Sequence, residues 1–289
     1  MKVKKVLVLG ASGMLGHKVS LFLSGIEEFQ VYNLVYRKKL LNTDIVCDVN
    51  RVERLISIVN QVSPDIIINC IGALIHQSEN KPAEAIWLNA YFPHLLENIS
   101  TKNNIKLVHV STDCVFSGAK GNYGENDFKD ADDIYGRSKS LGEIYSNNHC
   151  TLRTSIIGPE LKIDGSGLLH WLLSQSGTIK GFTNAIWAGV TTLELSKAIL
   201  EAINNDLKGL FHVTNGEKIS KYLLLEKLIT RLNLPAINVE PYEDFRTDKS
   251  LRTSDKFDFN VPSYDQMIDE MVLDIRKRRD IYEHYPVQQ

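Results

Sequence analysis

The sequence predicts an α/β fold, in which a doubly wound parallel sheet is followed by a smaller C-terminal α/β part. First, the apolar run at residues 5–9 leads directly into a glycine-rich turn and then into apolar residues at helical spacing. Second, short apolar runs alternate with helical patterns as far as residue 157, which indicates a parallel sheet covered on both faces. We therefore expect one domain over residues 1–157, with later returns near residues 183–214, and a mainly ligand-binding part over residues 158–289.

The composition is that of an ordinary globular protein with a small partner. The chain has 289 residues, of which 43% are hydrophobic, so it can bury a core of one or two domains. Its 33 lysines and arginines against 35 acidic residues give a net charge of −2, which argues against binding nucleic acid or a membrane surface. The apolar run after the basic N-terminus breaks at Gly10, too early for a signal peptide or a membrane span, so we expect a cytoplasmic protein.

The four cysteines show no Cys-x-x-Cys spacing and have apolar neighbours. We interpret Cys47, Cys70, Cys114 and Cys150 as buried free thiols in a reducing compartment, and we expect no metal site.

The glycine-rich turn is the first candidate binding element. A strand, a turn and a helix follow each other in the order that lets the free N–H groups of a helix N-terminus receive a pyrophosphate, although a plain turn with a packing glycine is the alternative. The residues of this turn that we expect at the phosphates are Gly10, Ser12, Gly13, Met14, Leu15 and Gly16.

The second strand, over residues 30–36, should end near the adenosine ribose of a dinucleotide held by that turn. No acid stands there to hold the ribose hydroxyls of NAD. Arg37 and Lys38 instead suit a 2′-phosphate, so we favour NADP(H) over NAD, with a solvated basic turn as the alternative.

The next elements are a strand over residues 45–49, a helix that Asn50 caps, and a buried strand over residues 66–73. The helix should present an apolar stripe of Val52, Leu55, Ile56 and Val59. Asp48 and Val49 could flank an adenine. Pro82 and Pro93 predict an irregular helix between them, in which Asn89 either hydrogen-bonds backbone at the site or is a solvated polar residue. We also expect the cofactor site to include Cys70, Ile71, Gly72, Ala73, Asn89 and Ser111.

A candidate catalytic group follows the fifth strand. The apolar run at residues 106–110 delivers Ser111 and Thr112 to the carboxyl edge of the sheet, where open parallel sheets bind ligands. Tyr135 and Lys139 are four residues apart, so on a helix they share a face, roughly 5–6 Å apart. At that distance an ammonium could favour the phenolate by about 3 kcal/mol, or roughly two pKa units. An exposed helix pair is the alternative.

The remaining chain predicts a sixth strand over residues 150–157, a helix over 168–174 and a segment rich in small and aromatic residues over 177–189. Thr191 and Glu194 should form a capping box, residues 209–214 a late strand, and Ser220 and Ser263 two more helix caps. The basic run at residues 276–279 complements the dipole of the last helix.

Three stretches, GASGMLG, STDCVFSG and YGRSK, together resemble the extended short-chain dehydrogenase/reductases, specifically the dTDP-4-dehydrorhamnose reductase branch, over nearly the whole chain. The resemblance implies a Rossmann domain that binds NADP(H) and a reductase that acts on the 4-keto group of a nucleotide-linked deoxysugar. It implies that Tyr135 donates the proton, that Lys139 lowers its pKa and binds the nicotinamide ribose, and that Thr112 hydrogen-bonds the ketone. The protein could also form a homodimer.

The chain departs from this branch at Cys114, where the rhamnose reductases usually have tyrosine, so the nucleotide could be dTDP or UDP and the sugar could carry an acetamido group. The residues that we expect at the substrate are Asp113, Cys114, Trp187, Lys249 and Arg252, the last two at the diphosphate.

Three other functions are alternatives to simple reduction. GDP-fucose synthases, which are similar, use a cysteine at the position of Cys114, so a bifunctional epimerase/reductase with His170 as second acid/base stays open. We predict that Cys114 shapes the pocket without taking a proton and that His170 is a packed or half-exposed helix residue. A 4,6-dehydratase needs an Asp-Glu pair after the threonine, and this chain has Asp113 followed by Cys114, so we do not expect dehydration. A redox-sensing regulator that binds NADP(H) is the non-enzyme alternative.

Overall fold

A seven-stranded parallel sheet organises the chain in a computed structural model, which describes residues 3–37, 39 and 42–287. The strands are numbered in chain order, and β1 pairs with β2 on one side and with β4 on the other. In spatial order they are β11 (Gly209–His212), β6 (Cys150–Arg153), β5 (Lys106–Ser111), β4 (Ile66–Asn69), β1 (Lys4–Leu9), β2 (Phe29–Val35) and β3 (Ile45–Val46). The strand order therefore reverses between β1 and β4, and the crevice at their carboxyl ends is where doubly wound sheets bind ligands.

Helices cover both faces of this sheet. The α-helices of the described residues are α1 (Met14–Leu23), α2 (Val52–Val62), α3 (Ile75–Asn80), α4 (Pro82–Ile86), α5 (Phe92–Lys102), α6 (Ile134–Leu141), α7 (Leu168–Leu173), α8 (Thr192–Asn204), α9 (Lys221–Leu232) and α10 (Tyr264–Lys277). Alternate residues of β1 enter two cores, because successive side chains of a strand point to opposite faces. Val6 and Val8 pack with α1, α8 and α10, whereas Leu7 and Leu9 pack with α2 and α5. The predicted doubly wound α/β fold is confirmed.

Smaller sheets lie beyond the main one. In these, β7 (Ile156–Ile157) pairs with β10 (Val190–Thr191), β9 (Ala185–Trp187) lies between β12 (Ile219–Ser220) and β14 (Thr247–Asp248), and β8 (Gly177–Phe182) pairs with β13 (Ile237–Tyr242). The division of the chain at residue 157 stays a prediction. Within the described residues, no helix combines the length and the apolar character that a membrane crossing requires.

The predicted single strand over residues 150–157 is wrong, because the chain leaves the main sheet after Arg153. The Thr154 hydroxyl donates to the Val213 carbonyl at 2.7 Å, and the Ser155 carbonyl accepts the Val190 N–H at 2.9 Å. Residues 156–157 therefore pair with β10 and not with β5 or β11. The signal for this switch lies in β10, more than thirty residues away in the sequence.

The predicted cap and stripe of the second helix need correction. Asn50 does not cap it: its backbone and side-chain N–H groups both donate to Asp48 Oδ1, and Arg51 takes the cap position without a side-chain bond. Ile56 is 38% exposed, and the buried face of the helix is Leu55, Ile58, Val59 and Val62.

The other predicted caps differ in completeness. Ser220 and Ser263 cap their helices as predicted, and the cap at Ser263 is a full capping box with Gln266. Thr191 accepts the Glu194 N–H, but the Glu194 carboxylate bonds Lys197 instead of returning to Thr191. The predicted box there is therefore only half formed.

Candidate active site

The glycine-rich turn has the geometry of a phosphate cradle. Gly10 has a φ of +77°, a left-handed conformation that favours glycine, and its N–H donates to the Leu34 carbonyl at 3.0 Å. A β-carbon on Gly16 would stand 2.1 Å from the Gly10 carbonyl oxygen, so only glycine lets α1 pack this closely against the turn. Gly13 occupies the cap of α1 with no side-chain bond, which leaves first-turn N–H groups available for an anion. The turn therefore fits a pyrophosphate.

Other residues of the turn contribute in different ways. The Leu15 side chain is buried in the core, so only its backbone faces the turn. A β-carbon on Gly167 would lie only 2.2 Å from the methyl carbon of Met14, so the Met14 side chain packs against the loop that contains Gly167. His17 links α1 to the C-terminal segment: its Nδ1 lies 2.8 Å from the Gly13 carbonyl oxygen and its Nε2 lies 2.8 Å from the Tyr282 hydroxyl.

The ribose end of the site carries an exposed arginine. The Arg37 guanidinium lies 4.5 Å from the centre of the Tyr36 ring and donates to its hydroxyl at 3.1 Å, just beyond the end of β2. Lys38, the other residue predicted at the 2′-phosphate, lies outside the described residues. Asp48 is engaged by Asn50, and Val49 is buried.

The exit of β4 is fixed by one buried amide. Asn89 Oδ1 accepts the Ala73 N–H at 2.8 Å, and its Nδ2 donates to the Ala73 carbonyl and to Ser138 Oγ. Asn89 lies in a π-helical turn (Trp87–Tyr91) between α4 and α5, so the predicted irregular helix is present. A β-carbon on Gly72 would stand 3.2 Å from Asn89 Oδ1 and 3.9 Å from Lys139 Nζ. The absent side chain of Gly72 therefore leaves space beside Lys139.

The Tyr135 hydroxyl is brought against Thr112. Thr112 caps the short 3-10 turn that follows β5, and its Oγ1 accepts the Cys114 N–H and donates to Asp113 Oδ1, each at 3.2 Å. The Thr112 side chain is close enough to the Tyr135 phenol to act on its pKa. Tyr135 and Thr112 thus share a site at the carboxyl end of β5.

Lys139 lies one turn further along α6 and is 5% exposed. Its Nζ donates to the Val110 carbonyl at 2.8 Å. Burial lowers the pKa of Lys139 to about 8, with Glu143 and Cys70 acting in the opposite direction. The amine is therefore still largely protonated at neutral pH.

The expectation that Lys139 lowers the pKa of Tyr135 stays a prediction. Burial, followed by the nearby Cys114, raises the pKa of Tyr135 above its ordinary value, and Thr112 only partly opposes them. Tyr135 is consequently a protonated phenol at neutral pH.

Asp113 and Cys114, which the sequence predicts at the substrate, lie in the 3-10 turn that Thr112 caps. Burial raises the pKa of Asp113, and Lys249 is the strongest of the groups that oppose it. Burial and the Asp113 charge raise the pKa of the Cys114 thiol to about 12. Cys114 is therefore a neutral thiol across the physiological range.

Lys249 and Arg252, the two cations predicted at a diphosphate, have different acidic neighbours in the structure. Lys249 acts on Asp113, whereas the Arg252 guanidinium lies against Gly124 and 3.8 Å from Asp127 Oδ2. Arg252 lines a polar cavity of about 550 Å³, which is formed by Asn122, Gly124, Glu125, Asn126, Asp127, Gly216, Arg252, Thr253 and Asp255. The place of Lys249 and Arg252 at a diphosphate stays a prediction.

Two further predicted positions lie in packed surroundings. Trp187 is 7% exposed and its Nε1 donates to Ser155 Oγ at 2.8 Å, so its contact with a substrate stays a prediction. His170 is half-buried on α7 and its Nδ1 lies 3.2 Å from the Tyr285 hydroxyl. The predicted packed position of His170 is confirmed.

Sequence reasoning missed Glu143 and Arg153, which form a buried ion pair below the site. The signal was available only in part: Glu143 continues the four-residue spacing of Tyr135 and Lys139. Nothing local indicates its pairing with Arg153, which lies on β6.

Known proteins resemble this chain over most of its length. A family model described as the RmlD substrate binding domain matches residues 4–256. The spore coat polysaccharide biosynthesis protein SpsK of Bacillus subtilis is 29% identical over 228 residues, which cover 75% of this chain and 76% of that protein. Methionine adenosyltransferase 2 subunit beta of Pongo abelii is 26% identical over 263 residues, which cover 83% of this chain and 76% of that protein.

Among solved structures, dTDP-4-dehydrorhamnose reductase from Bacillus anthracis in complex with NADP is 25% identical, with a TM-score of 0.80 over 94% of this chain and 99% of that one. That similarity agrees with the sheet order and the glycine turn of a Rossmann-type fold. Because the family model spans far more than half of its residues, the chain belongs to the RmlD substrate binding domain family.

Proposed function

We propose that this protein is an NADPH-dependent reductase of the 4-keto group of a dTDP- or UDP-linked 6-deoxyhexose, in the synthesis of a polysaccharide or glycan precursor. The observation that carries the proposal is the juxtaposition of the Tyr135 phenol and the Thr112 side chain at the carboxyl end of β5, with Lys139 one helical turn away. Relatives named for polysaccharide biosynthesis and for dTDP-4-dehydrorhamnose reduction support the substrate class.

The glycine turn and the space beside Gly72 fit a dinucleotide. Arg37 and Lys38 would meet the 2′-phosphate, Asp48 and Val49 the adenine, and Lys139 the nicotinamide ribose. When bound, NADPH supplies the hydride.

The proton comes from Tyr135. Hydride addition at carbon 4 sends the carbonyl electron pair to oxygen, which becomes a much stronger base than a phenolate and takes the phenolic proton. The Thr112 hydroxyl, whose bond to Asp113 is long at 3.2 Å, can turn to donate to the same oxygen. Lys139, as an ammonium, stabilises the phenolate that Tyr135 becomes.

Reduction without epimerisation suits the residues around the ring. An epimerase needs a base to remove a ring proton, and a Cys114 thiol with a pKa of about 12 is a poor one at neutral pH. His170 is directed to Tyr285.

The test is NADPH oxidation with a panel of dTDP- and UDP-4-keto-6-deoxyhexoses, with each product identified by NMR. Tyr135→Phe should lose about 10²–10⁴-fold in turnover while still binding NADPH, because a positioned general acid is removed. Tyr91→Phe, at a 58% exposed tyrosine, is the matched control and should retain parental turnover. A Tyr135→Phe protein that reduces the sugar at the parental rate would refute the proposal.

The similarity to methionine adenosyltransferase 2 subunit beta favours a second candidate, a regulatory subunit that binds NADP(H) without turnover. This candidate predicts NADPH binding, measured by nicotinamide fluorescence, together with no oxidation by any sugar of the panel. Turnover of one sugar that depends on Tyr135 would exclude it.

A further inference from the structure

A buried carboxylate, Glu143, lies directly below the proposed reaction site. Glu143 is 3% exposed and follows Lys139 by four residues, just beyond the C-terminal end of α6, the helix that carries Tyr135 and Lys139. Its oxygens accept hydrogen bonds from Ser111 Oγ (2.7 Å), Arg153 Nε (2.7 Å) and an Arg153 terminal nitrogen (2.6 Å), Lys129 Nζ (3.1 Å) and the Tyr145 hydroxyl (3.0 Å).

Lys139 and Glu143 bind to consecutive residues of β5. Lys139 donates to the Val110 carbonyl, and Glu143 accepts from the Ser111 hydroxyl. Both side chains are therefore anchored to adjacent residues of β5, where the strand delivers Thr112.

The other titratable groups around Lys139 carry no negative charge at neutral pH. Burial raises the pKa of Cys70, after β4, to about 12. Burial together with Lys139 lowers the pKa of His109, on β5, well below its ordinary value. Tyr135, on the same helix, is a protonated phenol. Among the described groups that act on Lys139, Glu143 alone is an anion.

The fold keeps Glu143 ionised at a cost. Burial opposes the charge, but Arg153, with Ser111 and Lys129, outweighs it and lowers the pKa of Glu143. Arg153 is itself fully buried, and its other terminal nitrogen lies 2.8 Å from His212 Nε2, a histidine whose pKa burial and Arg153 lower to about 3. Buried ion pairs stabilise a fold no better than apolar residues, so their position beside Lys139 indicates a role in the reaction.

We infer that Glu143, held by Arg153 and Ser111, is a positioning residue that acts as the counter-ion keeping Lys139 seated in the site as an ammonium. The inference rests on the proposed reductase function for its kinetic consequence. The effect that we expect of Glu143 on the protonation of Lys139 does not depend on turnover.

The direct test is the titration of Lys139 by NMR in protein labelled with ¹³C at the lysine ε-carbons, with the signal assigned by its loss in Lys139→Met. In Glu143→Gln, which keeps one acceptor oxygen but loses the charge, the midpoint of Lys139 should fall by about one pH unit. Glu194→Gln removes another buried carboxylate paired to a lysine, on α8, and should leave the Lys139 midpoint unchanged.

The kinetic test is the pH profile of kcat/KM with the reducible sugar of the panel. The alkaline limb should move down by about one unit in Glu143→Gln, so that turnover falls several-fold at pH 8.5 and little at pH 6. Since Glu143→Gln leaves Arg153 unpaired in the core, the double variant Glu143→Gln/Arg153→Met removes both charges and should show a smaller fall in the same direction, because a nearby positive charge is lost as well.

An unchanged Lys139 midpoint in either folded variant, or an equal shift in Glu194→Gln, would overturn the inference. If no sugar is reduced, the proposed function fails while the NMR titration still decides the role of Glu143. If turnover is found but the midpoint does not move, Glu143 is only structural.

Discussion

Gly136 lies so close to Cys114 that a β-carbon on Gly136 would stand 2.2 Å from the Cys114 carbonyl oxygen. Asp133 caps the same helix by accepting the Gly136 N–H at 2.8 Å. The contact therefore sets the height of α6 above the turn after β5, and with it the position of the Tyr135 hydroxyl over Thr112.

The first prediction is that Gly136→Ala lowers turnover about 100-fold, because the helix must move by roughly an ångström and a reacting group displaced that far loses about this factor. The affinity for NADPH, measured by fluorescence titration, should change only a few-fold. Gly25→Ala is the control, since its added β-carbon would meet the nearest atom at an ordinary 3.4 Å. Parental turnover in Gly136→Ala would contradict the role given to this contact.

The second prediction concerns the cofactor. Replacing Arg37 and Lys38 together by alanine should weaken NADPH binding about 100-fold or more, because each charge-assisted bond to a phosphate contributes roughly 1.5–3 kcal/mol. NADH, which lacks the 2′-phosphate, should bind as in the parent. Isothermal titration with both cofactors is the measurement, and an equal loss of both would count against NADP(H) preference.

The third prediction is that the product keeps its original hydrogens at carbons 3 and 5. The reaction is run in deuterated water with unlabelled NADPH and analysed by NMR and mass spectrometry. A neutral Cys114 thiol should exchange nothing there. Deuterium that enters at the rate of turnover and disappears in Cys114→Ser would establish an epimerase/reductase instead.

The fourth prediction is a loss of stability in acid. Burial lowers the pKa of His17 to about 4, so between pH 6.5 and 4 the unfolded chain binds a proton that the folded protein does not. The free energy of unfolding must therefore fall as the pH falls through this window, by about 3 kcal/mol from His17 alone. His17→Gln should remove this part of the slope in urea titrations at pH 7, 5.5 and 4. An unchanged slope would mean that His17 is accessible to protons in the native state.

Local signals in the sequence were sufficient to predict the glycine-rich turn and its close packing. The strand, the glycine turn and α1 are contiguous, and the spacing of Gly10, Gly13 and Gly16 already contains the close approach that the structure shows. The same holds for Tyr135 and Lys139, because a helix fixes the relation between residues four apart.

What the sequence could not supply depends on contacts between distant segments. The raised pKa of Tyr135 follows from its burial beside Cys114, twenty-one residues earlier in the chain. The acids that neighbour Lys249 and Arg252, which are Asp113 and Asp127, lie more than a hundred residues earlier in the chain. The Glu143–Arg153 pair likewise needs the register of β5 with β6.

The bond between His17 and Tyr282 also sets an order of events during synthesis in the cell. These residues are 265 positions apart, and a ribosome that adds about 5–20 residues per second takes roughly 13 to 50 seconds to cover that distance. Until Tyr282 has been added, α1 and its glycine turn lack the tyrosine that closes their hydrogen-bond chain. The glycine turn is thus translated early in synthesis but is among the last elements to be completed.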